Sequence, residues 1–97
     1  MDKLLEPIVM HYGDKQITQT IEELSELIKE LCKNIKGANN KEQIKEEMAD
    51  CYVMLEQLKL LFSFDSEDIK NIMLKKLHRT IRQVDQEIQA RIKKESN

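Results

Sequence analysis

The stretch IEELSELIKELCK, residues 21–33, sets Ile21, Leu24, Ile28 and Leu31 at alternating three- and four-residue spacing. That spacing stacks them on one face of a helix. Upstream the pattern reaches Ile17 and downstream Ile35, and Gly37 with Asn39 and Asn40 supplies the stop. The reading is a helix over residues 14–36.

The same period returns on the C-terminal side. Ile44, Met48, Cys51, Leu55, Leu58 and Phe62 mark a helix over residues 41–62, with Asn40 as its N-cap and Gln43 in the reciprocal capping-box position. Tyr52 and Phe62 fall on expected core positions. SFDSED, residues 63–68, offers capping side chains and places acids in a first turn. Ile69, Met73, Leu77, Ile81, Val84, Ile88 and Ile92 then carry a long helix over residues 67–93. On the N-terminal side, residues 2–12 contain Pro7, which suits the start of a helix and not its interior, so a turn or two is expected there.

Composition agrees with an all-α fold. Charged residues make up 35% of the 97-residue chain, while Gly totals two and Pro one, too few turn formers for a strand-rich domain. The expected architecture is a single-domain helical bundle of three substantial helices plus a short N-terminal one, completed by oligomerisation because so small a chain leaves much surface uncovered. A net charge of −2 gives no general attraction to nucleic acid or anionic membrane. The basic residues of the last helix, Lys75, Lys76, Arg79, Arg82, Arg91, Lys93 and Lys94, are spread around it rather than gathered on one stripe. Neither nucleic acid nor membrane is an expected partner. Cys32 and Cys51 lack the spacing or histidines of a zinc site, and both read as small buried apolar residues of a cytoplasmic protein.

The charges that break the helical pattern are the informative ones. On the helix over 14–36, Gln16, Gln19, Glu23, Glu26 and Glu30 share a seam on the edge of the apolar stripe, and Glu22 points nearly opposite the core. On the next helix Glu47 falls inside the apolar sector and Asp50 follows one turn along its edge. A carboxylate in an apolar sector is costly unless something pairs with it. Antiparallel helices meeting along these seams gather Glu23, Glu26, Glu47 and Asp50, and an oxygen-only donor set selects Mg²⁺, with Mn²⁺ as a substitute. The alternative is a solvated acidic face paired along the helix with Lys29 and Lys33. Lys76 and Arg79 form a basic counterpart on the last helix, Lys76 on its apolar stripe and Arg79 on the margin.

Glu-Glu-Leu-Ser-Glu at 22–26, then twenty residues, then Glu-Met-Ala-Asp at 47–50, resembles the Glu-Glu-x-x-Glu and Glu-x-x-Asp signature of the MazG-like all-α nucleoside triphosphate pyrophosphohydrolases. IEELSEL with EEMADCYVMLEQL is similar to their compact single-domain branch, found in Firmicutes and their phages. The resemblance implies a Mg²⁺ site at Glu23, Glu26, Glu47 and Asp50, with Glu22 peripheral and orienting water. It implies cleavage of a nucleoside triphosphate to monophosphate and pyrophosphate, in nucleotide-pool sanitation. Lys76 and Arg79 resemble the family's phosphate-holding residues, and Gln16 a polar residue that touches the nucleotide. Expected partners are the nucleotide and further copies of the chain, as a homodimer or homotetramer. The alternative function is a non-catalytic helical interaction or nucleotide-sensing module.

Overall fold

A computed structural model describes residues 2–96. It contains α1 (Asp2–Tyr12), α2 (Lys15–Ile35), α3 (Lys41–Leu61) and α4 (Ser66–Ser96), and no strand among the described residues. The fold is all-α, with three long helices and a short first one. α1 is longer than the turn or two expected, because the helix runs on through Pro7. Pro7 and Lys3, whose carbonyl loses its i→i−4 partner there, both lie on the exposed side.

α1, α2 and α3 form one compact unit ending at Phe64, and α4 forms a second unit beginning at Asp65. Gly13, at φ 54°, turns α1 into α2, its amide donating to the Val9 carbonyl at 2.8 Å. Gly37, at φ 102°, ends α2 in a conformation that a side chain would strain. Asn40 meets Glu30 and Cys51 meets Glu23, so α2 and α3 run antiparallel. α1 packs mainly on α3.

The core of the first unit is small and half polar: Leu5, Val9, Cys51 and Met54, with Gln16, Thr20, Asn40 and Gln57 buried among the polar residues. Thr20 Oγ1 donates to the Gln16 carbonyl at 2.7 Å. On α2 the buried and half-buried positions are Gln16, Thr20, Glu23, Leu27 and Glu30. They lie about 100° around the helix from the centre of the apolar stripe. α3 is rotated in the same sense, burying Cys51, Met54 and Gln57 and half-burying Glu47. The unit therefore closes on the acidic seam, and the apolar stripe of α2 faces outward, with Ile28 60% and Ile35 85% exposed.

This rotation corrects several expectations. Ile17, Ile21, Leu24 and Leu31 are exposed with the rest of the stripe, and so are Tyr52 and Phe62, the expected core aromatics. Phe62 instead stacks on Phe64, ring centroids 5.4 Å apart. Cys32 is exposed, because it lies on the side of α2 away from the seam, whereas Cys51 is buried as expected.

Asn40 occupies the N-cap position of α3 without making a side-chain cap. Its amide reaches back across the hairpin, Nδ2 donating to the Glu30 carbonyl at 2.9 Å, while its Oδ1 accepts from Asn34 Nδ2 at 3.3 Å. This clamp fixes the register in which the two seams meet. Asn40→Ala removes a buried hydrogen-bonding group, and the expected loss is about 1–2 kcal/mol of stability, read as a melting temperature lower by about 4–16 °C. An unchanged melting curve would show that the clamp is dispensable.

Candidate metal centre

The antiparallel register brings Glu23 of α2 against Glu47 and Asp50 of α3. One carboxylate oxygen from each lies within 4.8 Å of the other two. Glu47 and Asp50 converge because residues three apart share a helix face. Glu23 is held there by the helix contact beside it, where Cys51 Sγ donates to the Glu23 carbonyl at 3.5 Å. Glu23 and Glu47 are half-buried and Asp50 is exposed, so the cluster opens to solvent on the Asp50 side.

Glu47 is the strained member. Its Oε2 is buried with no hydrogen-bond partner. Burial pushes its carboxyl above the ordinary value of 4.5, and the charges of Asp50, Glu23, Glu26 and Glu30 push it further. The Cys51 thiol is pushed up for the same reasons, burial first and then Glu23, Glu47 and Asp50. The atoms that converge are carboxylate oxygens only, without Cys51 Sγ, so the donor set is of the hard, oxygen type. Three converging carboxylates, one with an unpaired buried oxygen, fit a hard divalent cation.

The raised Glu47 carboxyl has a consequence for the metal-free protein. The folded state holds a proton that the unfolded state releases near pH 4.5, so this group contributes stability at or below that pH and loses it as pH rises through the folded-state value. In chelator, thermal melts from pH 4.5 upward should show this contribution declining for the wild type, and Glu47→Gln should flatten it. Equal slopes for the two proteins would contradict the assignment.

The other expected site residues fall in different places. Glu26 is exposed and outside the triad, although its charge acts on Glu47. It sits on the far edge of the seam, beyond the arc that α2 buries. Glu22 is exposed, as its position opposite the core implies. Gln16 is fully buried, its Nε2 donating to Gln19 Oε1 at 3.4 Å and its Oε1 without a partner. Lys76 and Arg79 lie on α4, exposed, beside the basic side chains of Lys75, His78 and Arg82.

Two functional features had no clear signal in the sequence. Glu30, on the same seam as Glu23, is engaged by Asn40 Nδ2 at 3.4 Å and by Lys33 Nζ at 3.4 Å, and so braces the hairpin. Gln57 is buried with its Oε1 unpaired and adds a third buried amide to the core that also holds Gln16 and Asn40. Its polarity marks it as surface in any hydropathy pattern. Compared with protein-family models, with curated proteins and with solved structures, the chain finds no match.

Proposed function

We propose that this chain is a divalent-cation-dependent nucleoside triphosphate pyrophosphohydrolase, working in the cytoplasm on canonical or damaged nucleotides. The observation that carries the reading is the unpartnered, buried Glu47 oxygen within a three-carboxylate cluster. Its members occupy positions that the Glu-Glu-x-x-Glu and Glu-x-x-Asp resemblance designates as ligands. Glu23, Glu47 and Asp50 hold Mg²⁺, or Mn²⁺ in its place. Bound there, the cation neutralises phosphate charge and makes water a better nucleophile at neutral pH.

The remaining roles belong to side chains around the cluster. Water adds to the α-phosphorus, the bridging oxygen leaves with its electron pair on pyrophosphate, and Glu26 takes the proton of the attacking water. Glu22 orients that water. The resemblance assigns Lys76 and Arg79 of α4 the holding of phosphate by charge. Gln16, sealed in the core, braces α2 beneath the seam. A second copy covers the exposed apolar stripe of α2, giving a homodimer or a homotetramer.

A pyrophosphate-release screen over common and modified nucleoside triphosphates, with Mg²⁺ and with Mn²⁺, tests the reading. Turnover of at least one nucleotide, abolished by chelator, is expected. Absence of turnover and of cation-dependent stabilisation would reject it. The exposed α2 stripe also suits a second reading, a non-catalytic module whose stripe docks a protein partner. Such a module keeps its partner in chelator and after Asp50→Asn.

A further inference from the structure

α4 has 31 residues and none of them is buried. Most helical stability in proteins comes from packing an amphipathic face, so a helix of this length calls for a partner. Leu74, Leu77, Ile81, Val84 and Ile88 follow a 3-4-3-4 spacing, the a and d positions of a heptad repeat, and are 44–57% exposed. In the same register Lys70 and Arg91 fall at d, Glu95 at a, and His78 and Asp85 at e.

Those charges decide the occupant and its direction. A parallel, in-register pair of α4 helices sets Lys70 on Lys70, Arg91 on Arg91 and Glu95 on Glu95, three like-charge layers. An antiparallel pair that sets Ile81 against Val84 of a second copy makes four apolar layers, the others being Leu77 against Ile88. The same register sets Lys70 against Glu95 at each end and His78 against Asp85 on the flank, each pair occurring twice. Arg91 then lays its aliphatic stem along Leu74 of the second copy. Lys76 and Arg79, at c and f, stay outside the seam.

We propose that α4 pairs antiparallel with α4 of a second copy through Leu74–Ile88, in the register fixed by Lys70 and Glu95. The pairing does not depend on the catalytic reading. Sedimentation of the full chain tests it with a charge swap. Lys70→Glu and Glu95→Lys, each alone, turn two attractive pairs repulsive, and each is expected to weaken association about tenfold, read as a dissociation midpoint about ten times higher in protein concentration. The double variant Lys70→Glu/Glu95→Lys restores opposite charges and the wild-type midpoint. If single reversals leave the midpoint unchanged, or if the double variant stays as dissociated as the singles, the pairing is wrong. The first outcome is what a different occupant of the seam, or a different register, would give.

Discussion

Glu47→Gln is expected to abolish Mg²⁺-dependent stabilisation and to lower pyrophosphate release on the order of 10³-fold. The amide keeps the size of the side chain but removes the charge at the point where Glu23 and Asp50 approach within 4.8 Å. A cation's electrostatic contribution to such a reaction is worth several kcal/mol, and about 4 kcal/mol corresponds to 10³ in rate. For the wild type, a cation at a hundred times its dissociation constant adds about 2.7 kcal/mol, or about 10–20 °C in melting temperature for a chain of this size. The metal-free variant should melt higher than metal-free wild type, because the unpaired buried oxygen no longer carries charge. That opposite pair of effects, a more stable protein and a dead enzyme, separates a functional carboxylate from a merely structural one. A variant that is less stable in chelator and still turns over nucleotide would remove Glu47 from the site.

The second large effect concerns assembly. Leu24→Lys/Ile28→Lys places two charges in the outward stripe of α2, where Leu24 is 38% and Ile28 60% exposed. The core of the first unit lies on another face of the helix, so the folded unit should persist, with unchanged helical circular dichroism. If the stripe is the interface between copies, burying two unpaired charges there is prohibitive and sedimentation should show half the wild-type mass. A wild type that already sediments as a monomer, or a variant whose mass does not change, would mean that α2 has another partner.

Much of this molecule is legible from residue spacing alone. The 3-4 alternation of Ile17 to Ile35 and of Ile44 to Phe62 locates α2 and α3 nearly to the residue, because helical period survives whichever face is buried. Which face is buried is a tertiary matter, and hydropathy points the wrong way for it. The stripe with Ile28 and Ile35 faces out, while Gln16 and Thr20 face in. A pattern of apolar residues does not distinguish burial within a chain from burial between chains. The polar residues were more informative. Glu47, an acid inside an apolar sector, marks the seam on which α2 and α3 meet, and helical geometry puts Glu23 on that seam and Glu22 off it, in line with their half-buried and exposed positions. Glu26 and Glu30 lie on the same seam and behave differently. Glu26 is too far around the helix to join the triad, and Glu30 is engaged by Asn40, a contact between residues ten apart that no local period encodes. Asn40 itself carries the local signature of an N-cap and is used instead as a clamp across the hairpin.

Glu23, Glu47 and Asp50 are proposed to hold a divalent cation together. Mn²⁺ titration followed by electron paramagnetic resonance tests it most directly, since free and bound Mn²⁺ differ in signal and no substrate is needed. Saturable binding of Mn²⁺ by the wild-type chain, displaced by excess Mg²⁺ and lost in Glu47→Gln, is the predicted result. A wild-type protein that leaves the free Mn²⁺ signal unchanged, or a Glu47→Gln variant that binds as the wild type does, would contradict it.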